Sequence, residues 1–401
     1  MNTIEIENKY MVNFTEKTPL SFEKGHGVLV HEENGDEYLD FTSGWAVTSL
    51  GHSHPVIVNA ITSQSKKIIH GPNAGLTYSP ARAKCLLALA NILPKAMTKV
   101  FFVNSGAEAN DAAMKLARKI TGKNKILSAS MSFHGRTLAT TSATGQPLLR
   151  NNFNLLVPHH EFFDINDYAG FKKKFDSDTA AVIIEPILGE GGVHIVDKDF
   201  LVYLRKCCSD NGSLLIIDEI QTGFYRTGPA FMSSEYDLNP DMITMAKGIA
   251  GGFPFGAVAV NDKVAAKLAM GDHGGTYNGN PLGCAVAASV ISFMQENNIE
   301  DNVKSQGALL EKKLLALKNE YPFLIDTIRG KGLLWAIEFR NKEYATYLFD
   351  KALEKGLLLN LKHGVVIRLF PALIITTEEV NAAFDIICSI VKEMSVECVD
   401  L

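Results

Sequence analysis

The sequence predicts an α/β fold in which a large domain with a mostly parallel central sheet carries a smaller α+β lobe built from both termini. Three observations predict it. Short apolar and β-branched runs recur through the middle of the chain, separated by helical or loop stretches, as a repeated strand–helix pattern requires. Two of those runs, AVIIEP and LLIIDE, are apolar on both faces and then end in a carboxylate, which is how strands buried inside a parallel sheet read. After Pro281 the texture changes to long helices mixed with short strands. At 401 residues, 46% hydrophobic and 21% charged, the chain is long enough to bury a large core, and its balance excludes disordered and fibrous classes.

The elements follow in order. The first 60 or so residues hold LVHEENGDEYLDF, where Asn34-Gly35 is a turn signal between two extended runs, so a hairpin is expected. Strands are expected over residues 99–105, 125–130, 180–186, 213–219, 242–247 and 255–260, with polar residues at their C-terminal ends lining a crevice. Residues 282–297 read as one apolar helix, and 302–320 carry a helical period in Leu309, Leu310, Leu314, Leu315 and Leu317. The stretches 330–339, 365–369 and 380–394 continue as alternating strands and helices. The expected division is 1–60 as the N-terminal part of the small lobe, 61–295 as the large domain, and 296–401 as the C-terminal part of the small lobe.

Charge and cysteine usage narrow the function classes. Lys plus Arg less Asp plus Glu is 39 − 44 = −5, so there is no basic field to neutralise a row of phosphates, and a nucleic-acid role loses its usual driver. The six cysteines, Cys85, Cys207, Cys208, Cys284, Cys388 and Cys398, form no C-x-x-C pair and read as reduced thiols of a cytoplasmic protein. No signal-peptide pattern opens the chain, and no run reaches the ~20 apolar residues of a membrane span. The eleven histidines show no spacing that would hold a metal.

Three positions carry chemistry. Residues 104–110, NSGAEAN, follow an expected strand and open an Ala-rich helix, so small residues leave backbone N–H groups of a helix N-terminus free to cradle a phosphate. A tight capped turn reads the same way when such a segment stands alone. Asp218 ends the strand LLIIDE as a carboxylate at the mouth of the sheet, or as a helix cap or half of an ion pair. Lys247 sits between an apolar strand and a Gly-rich segment; most lysines are solvated, but these flanks desolvate an amine, lower its pKa and suit Schiff-base chemistry. Phosphate anchor, pyridinium partner and lysine, in this order, are the parts that pyridoxal phosphate needs.

With those parts in place, the chain resembles the class III (ω-amino-acid) aminotransferases, pyridoxal-phosphate enzymes of fold type I, and within them most closely the acetylornithine branch. The resemblance runs from about Gly25 to Thr377 and is carried by GHSHP at 51–55, NSGAEAN at 104–110, SFHGRT at 132–137, EPILGEGGV at 185–193, IIDEIQTGFYRTG at 216–228, AKGIAGGFPFGAV at 246–258, NGNPLGCAVA at 278–287 and IRLFPALIIT at 367–376. It implies that Ser105, Gly106 and Ala107 hold the cofactor phosphate and that Phe133 stacks on the pyridine ring. It also implies that Asp218 keeps the ring nitrogen protonated, Gln221 lies beside the phenolic oxygen, and Thr276 reaches the phosphate of a neighbouring subunit, so that active sites are shared in a homodimer. Lys247 is implied to carry the cofactor as an internal aldimine and then to act as the base.

Substrate choice, by the same resemblance, rests on Arg136 for the distal carboxylate and Arg368 for the α-carboxylate of glutamate. Planar guanidinium forks suit carboxylates. Glu190 is implied to pair with Arg368 when an ω-amine lacks a proximal carboxylate and to swing away for glutamate. The implied reaction passes the ω-amino group of N-acetylornithine to 2-oxoglutarate in two half-reactions; 4-aminobutyrate and ornithine are the alternative donors, and a non-catalytic effector-binding protein of the same fold is a remote one. Trp45, Leu188, Gly275 and the segment 70–80 depart from the branch's usual pattern; Trp45 changes the wall of the substrate entrance, and together they bear on which amine is the donor.

Overall fold

Seven strands form the central sheet, in the spatial order Met97–Val103, Gly256–Asn261, Met242–Met245, Leu214–Asp218, Thr179–Ile184, Lys125–Ala129 and His160–Phe163. The computed structural model describes residues 1–72 and 75–397. Asn73 and Ala74 of the 70–80 segment, and Cys398, lie outside the described residues. Pairing is parallel from Met242–Met245 through to His160–Phe163, and only Gly256–Asn261 runs against its neighbours. The expected mostly parallel sheet is therefore present.

Alternation decides what each face buries. Ala181 and Ile183, with Ile216 on the next strand, pack in one apolar cluster beneath the helix Gly106–Thr121. Val182 and Ile184, with Leu215 and Ile217, pack in another beneath Lys198–Asn211. Because successive side chains point to opposite faces, a strand covered on both sides must be apolar throughout, which explains AVII and LLII. Each valine, leucine or isoleucine among them, fully buried, contributes about 1.5–3 kcal/mol. Only at the strand ends does the pattern break, and there the carboxylates appear.

The ends of the chain meet away from that sheet. Leu29–Glu32 and Glu37–Asp40 form the expected antiparallel hairpin around Asn34-Gly35, and Phe22–His26 adds to its edge. Leu357–Leu358, from the far end of the sequence, pairs in parallel with Glu37–Asp40 in the same sheet. A second antiparallel sheet has the order Ile325–Lys331, Leu334–Phe339, Val366–Leu369, Asn360–Lys362. The expected helices are Pro281–Glu296, Ile299–Glu320 and Thr377–Glu397. Residues 330–339, expected within the alternating strands and helices, belong to a hairpin whose strands are Ile325–Lys331 and Leu334–Phe339, turned at Gly332 with φ +58°. Among the described residues no helix is long and apolar enough to cross a membrane.

Candidate active site

A cavity of about 450 Å³ opens at the C-terminal ends of the parallel strands, lined among others by Ser105, Gly106, Phe133, Asp218, Gln221 and Lys247. This is where the sequence pattern places a ligand crevice. Each side chain arrives just beyond a strand: Ser105 after Met97–Val103, Glu185 after Thr179–Ile184, Asp218 at the end of its own strand, Lys247 two residues past Met242–Met245. The reversed strand Gly256–Asn261 contributes its N-terminal approach instead, through Pro254 and Phe255.

The anion cradle is the start of the 16-residue helix Gly106–Thr121. Ser105 caps it by accepting the Glu108 N–H at 3.1 Å, and the N–H groups of Gly106 and Ala107 have no partner among the described residues. Gly106 packs so closely that a Cβ there would lie 2.8 Å from Ile220. Free N–H groups at the positive end of a helix dipole are suited to a phosphate.

Asp218 is buried and fully engaged. Its Oδ2 accepts from Asn110 Nδ2 at 2.7 Å and from His134 Nδ1 at 2.8 Å, while Oδ1 accepts the Ile220 N–H at 3.0 Å. Gln221, also buried, is the opposite case: neither its Oε1 nor its Nε2 has a partner. A buried amide with nothing to bond costs about 1–3 kcal/mol, which a ligand group in the cavity would remove. Lys247 opens a short 3-10 turn with φ +46°, a strained setting for a residue with a side chain. Its ammonium makes no hydrogen bond or ion pair among the described residues. Burial pushes its pKa below the ordinary range, although Glu190, Glu185 and Asp218 act the other way.

Phe133 is held through its backbone, whose N–H donates to Glu185 Oε2 at 2.9 Å, and the Arg136 guanidinium lies 5.6 Å from its ring centre. Glu185 is a site residue that sequence reasoning missed. Its Oε1 also accepts the Gly189 N–H at 3.3 Å, and burial pushes its carboxyl up to about 7. A signal was available: the strand AVII runs directly into this carboxylate, as LLII does into Asp218.

Arg136 is exposed, lines the cavity and has no ion pair among the described residues. Arg368, expected to grip a carboxylate, is 0% exposed and does not line the cavity; Glu190 does. Arg368 Nη1 donates to Glu190 Oε1 at 2.7 Å and to the Gly189 carbonyl at 2.8 Å, its Nε donates to Asn360 Oδ1 at 2.8 Å, and Nη2 has no partner. Lys362 Nζ donates to Glu190 Oε2 at 3.0 Å. The two cations hold the Glu190 carboxyl at about 2, against the effect of burial.

Three expected residues stand apart from this cavity. Gly275 and Thr276 are exposed and do not line it. Trp45 is 56% exposed, in a left-handed turn in which Ser43, Gly44, Trp45 and Ala46 all have positive φ, and Val47 supplies that segment's contact with the cavity. Left-handed turns of L-residues cost about 1–2 kcal/mol per residue. Asp40 Oδ1 holds this one by accepting the N–H groups of Thr42 and Ser43 and the Thr42 hydroxyl.

Pyridoxal phosphate fits these groups: two free helix N–H groups for its phosphate, a buried carboxylate for its ring nitrogen, an unpartnered amide for its phenolic oxygen and an unpartnered lysine for its carbonyl carbon. The comparisons agree. The family model for class-III aminotransferases matches residues 10–391. The acetylornithine aminotransferase of Methanopyrus kandleri is 39% identical over 96% of this chain and 97% of that protein. The crystal structure of acetylornithine aminotransferase from Elizabethkingia anophelis superposes with a TM-score of 0.85 at 30% identity, covering 97% of this chain and 98% of that one. The ornithine aminotransferase of Toxoplasma gondii, in a structure with partial occupancy of pyridoxal phosphate at its active site, superposes with a TM-score of 0.88 at 30% identity, covering 96% and 93%.

Proposed function

Because this chain belongs to the class-III aminotransferases, which depend on pyridoxal phosphate, we propose that it passes the ω-amino group of N-acetylornithine to 2-oxoglutarate, giving the semialdehyde and glutamate. The observation that carries the substrate reading is the carboxylate end of the cavity: Arg136 stands open and unpaired, while Arg368 is covered by Glu190. N-acetylornithine brings one carboxylate, for Arg136, and an amine end that leaves the Glu190–Arg368 pair intact. 2-Oxoglutarate brings two carboxylates and displaces Glu190. Ornithine is the second reading, favoured by the likeness to the Toxoplasma gondii enzyme. Its α-ammonium would stand beside Arg136 with no carboxylate to neutralise it, because Glu185, Glu190 and Asp218 are already engaged. Acetylation removes that positive charge.

Pyridoxal phosphate supplies, when bound, an electron sink for the pair left behind as the amine-bearing carbon loses its proton. The chain's own groups do the rest. Gly106 and Ala107 N–H bind the phosphate, and Ser105 Oγ, already accepting from Glu108, keeps a proton to donate. Asp218, fixed by Asn110 and His134, holds a proton on the ring nitrogen. Phe133, lining the cavity, would cover one ring face, and Gln221 Nε2, without a partner, would donate to the phenolic oxygen. Lys247 Nζ would be the point at which the cofactor is held and, with its pKa lowered by burial, the base that would take the proton from the substrate carbon. Thr276, exposed and outside this chain's own cavity, serves the phosphate of a second copy, making a homodimer with shared sites. The division at residues 60 and 295 and a cytoplasmic location complete the proposal.

The test is a donor panel against 2-oxoglutarate. N-acetylornithine should give the highest kcat/KM, ahead of ornithine and 4-aminobutyrate. If none of the three transfers its amine, the ω-amine reading is wrong.

A further inference from the structure

The tip of the small-lobe hairpin grips Glu190 in a way the proposed chemistry does not use. Asn360–Lys362 pairs antiparallel with Val366–Leu369, setting Asn360 opposite Arg368. Residues two apart on a strand share a face, so Asn360 and Lys362 point the same way. Asn360 holds Arg368 Nε, and Lys362 holds Glu190 Oε2. At the turn, His363 Nε2 lies 3.0 Å from the Glu190 carbonyl oxygen. Glu190 therefore bridges two cations rather than one, with Lys362 on Oε2 and Arg368 on Oε1.

We propose that Lys362 is a specificity-determining residue of this site, which keeps Glu190 paired after Arg368 has been handed to the α-carboxylate of glutamate or 2-oxoglutarate. The proposal rests on the reading of Glu190 and Arg368 given above. Charge counting supplies the argument. Arg368, Lys362 and Glu190 together carry one positive charge in excess, and an incoming carboxylate brings the cluster to neutrality. Without Lys362 the cluster is already neutral, and the same carboxylate leaves it negative, with a stranded Glu190 whose side chain is only 16% exposed. An unpaired charge in so dry a place is costly. The half-reaction with N-acetylornithine leaves Glu190 on Arg368 and never calls on the second cation.

The experiment uses the holoenzyme and follows the cofactor's visible absorption in single turnovers with glutamate and, separately, with N-acetylornithine. Lys362→Met should raise the half-saturating glutamate concentration about tenfold and leave that for N-acetylornithine within about twofold. Calorimetry with glutarate, a dicarboxylate that cannot react, should show the same weakening, and Lys362→Arg should restore both. Glu190→Ala separates the two layers of the argument. If it leaves the preference between glutamate and N-acetylornithine unchanged, the reading of Glu190 itself fails. If it shifts that preference while Lys362→Met weakens both substrates equally, or neither, the role of Lys362 alone is overturned.

Discussion

Gly189→Ala isolates Gln221, and the geometry sets the size of the effect. A Cβ on Gly189 would sit 1.5 Å from Gln221 Oε1 and 2.6 Å from its Cδ. Ordinary contact is about 3.5 Å, so the amide must retreat by about 2 Å. Gly189 has no positive φ, and its hydrogen bonds to Glu185 and Arg368 are made by backbone atoms, so the substitution leaves both in place. If Gln221 swings clear, the protein loses only the bond proposed to the cofactor, about 0.5–1.5 kcal/mol, or about two- to thirteenfold in affinity. If it cannot, overpacking costs about 1–3 kcal/mol of stability instead. Cofactor affinity by equilibrium dialysis and melting of the apo-protein distinguish the two outcomes. Unchanged affinity together with an unchanged visible spectrum would show that Gln221 does not touch the cofactor.

Two further predictions concern titrating groups. Lys247→Ala should abolish the visible band of the lysine-bound cofactor and reduce amine transfer by at least about a thousandfold; a variant retaining the band would remove Lys247 from the mechanism. Glu185 has a carboxyl raised by burial to about 7 from an ordinary 4.5, so the folded protein holds that proton more tightly than the unfolded chain. Its contribution is fully present below about pH 4.5 and is lost as pH rises to about 7, roughly 3–4 kcal/mol in all. Wild type measured against Glu185→Gln in urea should therefore lose relative stability across that window. A constant difference from pH 4.5 to 8 would place Glu185 outside the titration.

What the sequence made legible was whatever depends on periodicity or on a strand's last residue. AVIIEP and LLIIDE revealed two-faced burial and the carboxylates beyond it, because only a sheet covered on both sides needs such runs. The direction of Gly256–Asn261 was not legible, since an apolar run has no polarity. His160–Phe163 escaped because it is the edge strand, with a mixed pattern that a one-sided neighbour permits. The pairing of Glu190 with Arg368 was legible through the resemblance and is present at 2.7 Å, but the complete burial of Arg368 behind it is a three-dimensional fact. Lys362 carried no local sign at all: its meaning depends on a hairpin register that sets Asn360 opposite Arg368 and so brings Lys362 to Glu190.

The unpaired polar atoms argue for the ligand more directly than the paired ones. Folded proteins leave few buried donors and acceptors unsatisfied, because each costs about 1–3 kcal/mol. Glu219, equally deep and next to Asp218, shows the ordinary solution: its carboxylate accepts from the N–H and hydroxyl of Ser233, the N–H of Met232 and the hydroxyl of Thr222. Around the cavity that solution is withheld. Both heteroatoms of the Gln221 amide, His134 Nε2, Asn110 Oδ1 and Arg368 Nη2 are all buried without partners. Asn110 and His134 each spend their other polar contact on Asp218, so the carboxylate is fixed by residues that are themselves incompletely satisfied. A core selected for stability alone would have replaced such groups with apolar ones of similar volume. Other buried polar atoms of the chain are also unpartnered, but those of Gln221, which lines the cavity, and of Asn110, His134 and Arg368, which bond Asp218 or Glu190, are intelligible if the missing partners arrive with the cofactor and the substrate carboxylate. Stability and cofactor binding are then one linked quantity, and the melting temperature should rise with cofactor concentration.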